Sequence, residues 1–189
     1  MAAMNATTVW EHWEYMNGAG MNSHAHPALA SVGAWFYRWV AGLRLDDGTL
    51  GVPSDGYGKG WRRVRFAPGC VTDPRLPTAA ARVSSPFGPI AVGWANQTGA
   101  GSGTGTAGTT LSTSTLAMTV SLPADVRGTV VVPPHVGGGP AAVTVTEGGA
   151  CVWKAGAPCT PGAPGVAAAI EDGAVTLRIG SGSYAFAAR

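Results

Sequence analysis

The residues able to do chemistry gather near the start of the chain. Glu11 and Glu14 stand among Trp10, His12 and Trp13, and His24 and His26 come a few residues later. A carboxylate beside indole rings can serve as a general acid or base towards a sugar whose apolar ring face lies against the aromatic wall. The same residues have a structural reading, with Trp10 and Trp13 in a core, Glu11 in an ion pair or at a helix end, and the histidines satisfied nearby. Three histidines and two glutamates fall within sixteen residues. They lack the i, i+4 pair plus third ligand of a helical zinc site, so no metal is expected. The Gly tract near residue 100 is low in complexity and forms no phosphate loop, and no nucleophile elbow is present.

Positioning these residues falls to the elements C-terminal to them. Leu29, Val32, Phe36, Val40 and Leu43 recur at spacings of three and four, which predicts an amphipathic helix from Pro27 to Leu43. Ser23 can cap its start, Pro27 fits the first turn, and Gly42 marks its end. A lone helix of about seventeen residues is marginal in water and needs partners for its apolar face. After the turn-rich stretch 46–60 the period becomes two. Val64 and Phe66, Ile90 to Trp94, Leu116 to Leu122, Val130 and Val132, Val143 and Val145, Val175 to Ile179, and Tyr184 and Phe186 predict about eight short strands in an antiparallel β-sandwich. Glu171-Asp172-Gly173 supplies a hairpin turn. Residues 98–115 and 158–164 are predicted to be loop insertions, the first almost entirely Gly, Ser, Thr and Ala.

Composition agrees with a mainly β fold. The chain of 189 residues is 46% hydrophobic and 12% charged, and its 29 Gly and 14 Pro imply many turns. A net charge of +2 gives no basis for binding nucleic acid or an acidic membrane. The one basic cluster, Lys59, Arg62, Arg63 and Arg65, reads as a solvated strand with its charges spread over both faces. No apolar run is long enough to span a bilayer, and no secretory signal is expected at the N-terminus. Cys151 and Cys159 can close a small loop or remain free thiols, with Cys70 unpaired. That possible bridge and the acceptor patterns Asn5-Ala6-Thr7 and Asn96-Gln97-Thr98 lean towards secretion.

Six segments in order carry a resemblance: Thr7 to Trp13 (TTVWEHW), Met21 to His26 (MNSHAH), Ser31 to Gly42 (SVGAWFYRWVAG), Arg63 to Gly69 (RVRFAPG), Ser85 to Ile90 (SPFGPI) and Gly180 to Phe186 (GSGSYAF). Together they resemble the C-terminal portion of bacterial-type α-L-rhamnosidases. The resemblance implies the last helix of an (α/α)6 six-hairpin barrel within residues 1–50, followed by a C-terminal β-sandwich over 53–189. It implies hydrolysis of terminal rhamnose from a glycoside or polysaccharide with inversion, one carboxylic acid protonating the leaving oxygen and a second carboxylate activating water. In the family motif the glutamate after the Trp is the general base, here Glu11. The histidine ending the second motif contacts the sugar, here His26, while Trp10 and Trp13 would wall the site. Ala25 stands where the family usually has Asn. No cofactor is implied. The family's general acid lies in earlier barrel helices, so this chain is expected to be inactive alone. The alternative is a non-catalytic, carbohydrate-associated sandwich module.

Overall fold

The computed structural model describes residues 5–12, 14–15, 23–46, 60–98 and 114–189. Trp13, Met21 and Asn22, the turn-rich stretch beyond Asp46 and most of the Gly/Ser/Thr insertion lie outside them. The chain divides into two compact units, Met1–Phe36 and Tyr37–Arg189.

In the first unit the expected long helix is replaced by two short ones, α1 (Pro27–Ala30) and α2 (Val32–Trp35). His26, not Ser23, caps the start: its Nδ1 accepts from the Leu29 N–H at 3.4 Å, and Pro27 occupies the first turn, where its missing N–H costs nothing. Ser31 interrupts the run, its hydroxyl donating to the Ala28 carbonyl at 2.6 Å, a local bond that competes with continuous helix. Leu29, Val32, Trp35 and Phe36 are all about half exposed, with Trp35 and Phe36 meeting edge-on at 5.2 Å.

Phe36–Val40 forms a π-helical turn. The helical geometry stops there because Gly42 takes φ +81°, and an added Cβ at Gly42 would lie 2.3 Å from the Pro68 nitrogen. Leu43 therefore begins strand β1 (Leu43–Leu45) instead of ending a helix.

The second unit is a mainly β sandwich of two sheets. Its further strands are β2 (Arg63–Phe66), β3 (Thr78–Ser85), β4 (Gly88–Thr98), β5 (Ser114–Leu122), β6 (Arg127–Val132), β7 (Val145–Glu147), β8 (Ala150–Lys154), β9 (Ala157–Pro158), β10 (Val166–Glu171), β11 (Ala174–Ile179) and β12 (Gly182–Ala188). One sheet runs β1-β2-β6-β11-β10, the other β3-β4-β5-β12-β7-β8-β9. Val64, Phe66, Val130, Leu177 and Ile179 from the first meet Ile90, Val92, Trp94, Met118, Val120 and Phe186 from the second in one buried cluster. Burial of these alternating side chains is the main force holding the sheets together.

Pairing is antiparallel except between β2 and β6, which run parallel with Arg65 opposite Thr129. A parallel pair needs a long crossover, and β3, β4 and β5 supply it in the opposite sheet. The predicted Asp172-Gly173 turn joins β10 to β11 with Glu171 opposite Ala174, and both turn residues have positive φ, as a two-residue hairpin requires. β1, β3, β8, β9 and β10 were not expected from the sequence, and β9 takes Pro158 from the predicted 158–164 loop.

Cys151 and Cys159 are joined by a disulfide, and Cys70 is free. Around the bridge, Cys159 N–H donates to the Val152 carbonyl at 3.0 Å and Ala163 N–H to the Cys151 carbonyl at 3.1 Å. Asn96 sits within β4, and its side-chain amide donates to the Val71 carbonyl.

Candidate active site

Two extended stretches of the first unit lie side by side. Glu11 N–H donates to the Ser23 carbonyl at 2.9 Å, and His26 N–H donates to the Val9 carbonyl at 2.8 Å. The Thr8 hydroxyl donates to the His24 carbonyl, adding a third tie. The ladder brings together residues from 12 positions apart in sequence (Glu11 and Ser23) to 17 apart (Val9 and His26).

The Glu11 carboxylate is held on this ladder. Its Oε2 accepts from the Ser23 N–H at 3.0 Å, and its Oε1 lies 3.8 Å from Nε2 of His26. The second separation exceeds a hydrogen bond, so Oε1 and Nε2 face each other with a gap between them. The Glu11 side chain remains 35% exposed and that of His26 28%. In the neutral imidazole, Nδ1 accepts from Leu29, so Nε2 carries the proton and presents it towards Glu11.

Trp10 is only 8% exposed. Its ring meets Tyr15 edge-on at 5.7 Å and His24 at 4.8 Å, and Tyr15 stacks on His24 at 5.0 Å. Trp10 thus anchors the first stretch through packing of the kind aromatic clusters favour. Trp13 lies outside the described residues. Ser23 contributes differently from its expected cap: its hydroxyl accepts from Ala25 N–H at 3.1 Å, while its own N–H fixes Glu11. Sequence reasoning missed that backbone donor and the Tyr15 stack, since neither has a residue-type signal. Among the described residues, no three His, Cys, Asp or Glu side chains converge as a metal site would require.

A separate concavity of about 770 Å³ lies on the seven-stranded sheet. Ala80, Ala91, Gly93 and Ser121 floor it, with Arg82 and Glu147 among its polar lining. None of the sequence-predicted site residues lines it.

Comparison with known proteins places these features. Residues 1–40 match the family model of the bacterial alpha-L-rhamnosidase 6 hairpin glycosidase domain. No curated protein matches. Among solved structures, the alpha-L-rhamnosidase from Dictyoglumus thermophilum is 29% identical with a TM-score of 0.64, over 100% of this chain and 17% of its own. The Streptomyces avermitilis alpha-L-rhamnosidase complexed with L-rhamnose is 23% identical with a TM-score of 0.58, over 98% of this chain and 14% of its own. The Aspergillus terreus enzyme is 22% identical with a TM-score of 0.52, over 98% and 15% respectively. The last two likenesses show the fold. In each case this chain spans less than a fifth of the matched protein's length. The resemblance carried by the six motifs is thereby borne out: this is a glycosidase-related chain of mainly β architecture, similar to the C-terminal portion of a bacterial-type α-L-rhamnosidase.

Proposed function

We propose that the chain is the part of an α-L-rhamnosidase that supplies the general base, Glu11, for inverting hydrolysis of terminal rhamnose from a glycoside or polysaccharide. The observation that supports this most is the Glu11–His26 gap of 3.8 Å, within the stretch that matches the glycosidase domain. An oxygen seated there can accept from the Nε2–H of His26 and donate its own proton to Oε1 of Glu11. For a water molecule that is the geometry of deprotonation; for a sugar hydroxyl it is a binding contact. The Ser23 N–H on Oε2 orients the carboxylate and leaves Oε1 as the proton acceptor. Trp10 and Trp13 complete this reading as the site's aromatic wall, Trp10 acting chiefly by fixing the strand that carries Glu11.

The acid that protonates the leaving oxygen would come from barrel helices outside these residues. General acid–base catalysis contributes roughly a hundred- to ten-thousand-fold per group, so the chain alone should not turn over. The domain division belongs to the same proposal: a barrel portion over 1–50 and a sandwich over 53–189, with β1 joining the sandwich from upstream of that boundary. In an active enzyme carrying this chain, NMR of the first-formed sugar should show the anomeric configuration opposite to the substrate's. Retention would overturn the assignment of Glu11 as a base acting on water.

A second reading, a carbohydrate-associated sandwich module without catalysis, is favoured by the concavity on the seven-stranded sheet. Saturable rhamnoside binding that survives loss of Glu11 and His26 would support it over the first.

A further inference from the structure

The outer face of the five-stranded sheet carries an unusual row. Arg44 of β1 stands opposite Arg65 of β2, Arg65 opposite Thr129 of β6, and Thr129 opposite Arg178 of β11. These alternate with the core residues Leu43, Val64, Phe66, Val130, Leu177 and Ile179, so they share the face turned away from the core. Of the basic cluster, Arg63 and Arg65 lie on this face, Arg62 lies over the Phe87 ring at 4.7 Å, and Lys59 is outside the described residues. Arg65 is not solvated, being only 9% exposed.

Like charges directly opposite in a sheet repel, and a buried cation without a partner is costly. Arg44 relieves part of its own charge by lying over the Trp39 ring at 5.1 Å, and Arg178 pairs with Glu171 at 2.6 Å. Asp46, also 9% exposed, commits Oδ2 to the Thr129 hydroxyl at 2.9 Å. Burial and the neighbouring Arg65 both lower the Arg44 pKa, with Asp46 acting in the opposite direction. Arg65 is left over. Its buried Nε has no hydrogen-bond partner, and neither has the Nε of Arg44 directly opposite it. An oxyanion is the species that would satisfy both groups, and a guanidinium fork matches a planar carboxylate.

We propose that this face is a second ligand site, an arginine-centred seat for the carboxylate of a uronic-acid-bearing polysaccharide. Arg65 is the anchoring cation and Arg44, directly opposite, the second. The choice of a sugar acid as carrier rests on the proposed glycosidase reading; the anion seat rests on the sheet alone. Glu11 and His26 take no part, so failure of either proposal leaves the other's test intact.

The test titrates the full chain with trigalacturonate, its methyl ester and inorganic sulfate, reading affinity by calorimetry and the thermal midpoint. Trigalacturonate should bind saturably and raise the midpoint, and the ester should do neither. Arg65→Gln should weaken binding at least about tenfold. It should not lower the ligand-free midpoint, because it removes an unpaired buried charge. If that variant fails to fold, Arg44→Gln provides the same comparison. Binding unchanged in the variant, or equal for acid and ester, would overturn the site. Sulfate binding as tightly as trigalacturonate would overturn the sugar-acid assignment.

Discussion

Nε2 of His26 and Oε1 of Glu11 face each other at 3.8 Å, while Nδ1 of the same imidazole accepts from the Leu29 N–H. One ring therefore caps a helix with one nitrogen and addresses the carboxylate with the other. His26→Ala should remove the cap, at a cost of about 1 kcal/mol to the first helical turn. Hydrogen exchange at the Leu29 amide checks this: protection should fall in the variant, and unchanged protection would mean the cap contributes nothing.

Trp94, only 3% exposed on β4, donates from its indole nitrogen to the Val40 carbonyl at 2.9 Å. This bond secures the end of the π-helical turn to the seven-stranded sheet. Trp94→Phe leaves that carbonyl unsatisfied and opens a void, so unfolding should become easier by about 2 kcal/mol or more. A shift in the urea midpoint with unchanged slope would report it.

The Cys151–Cys159 bridge spans a sequence separation of 8. Loop-closure entropy for so short a ring predicts a loss of about 2.5 kcal/mol when both cysteines become serine. Thiol labelling before reduction should mark Cys70 alone. Labelling of all three cysteines would show that the bridge does not form.

Asp73 accepts from both the side chain and the backbone of Arg75, with the guanidinium at 2.7 Å. The Arg75 hydrogen bonds pull its pKa from 3.8 to about 2. A depressed carboxylate adds stability above its unfolded pKa and loses it as pH falls through the folded one, so the contribution fades between about pH 4 and pH 2. Carboxyl NMR titration should find Asp73 near 2, and Arg75→Gln should return it to the ordinary range.

The strands that were legible in the sequence are those in which large apolar residues alternate with polar ones, such as Leu116 to Leu122 and Val175 to Ile179. β3 and β10 escaped because Thr78–Ser85 and Val166–Glu171 are built from Ala and Ser with few bulky residues, and they lie on the sheet margins. The helix was overextended because Leu43 continues the three-and-four spacing; only the positive φ at Gly42 ends it. Glu11 was legible through its motif. Its proximity to His26 was not, since that depends on backbone bonds between distant stretches, and spacing does not encode them. Arg65 looked like a surface charge because residue type carries no information on what covers a sheet face.

Whether Glu11 accepts a proton from water is tested most directly by kcat for an aryl α-L-rhamnoside. The comparison is between an active enzyme carrying this chain and its Glu11→Gln variant, with circular dichroism to confirm folding. The amide keeps the Ser23 N–H contact to a side-chain oxygen but cannot take up the proton, so kcat should fall roughly a hundred- to ten-thousand-fold with an unchanged spectrum. Near-normal turnover by the folded variant would contradict the role of Glu11 as the base.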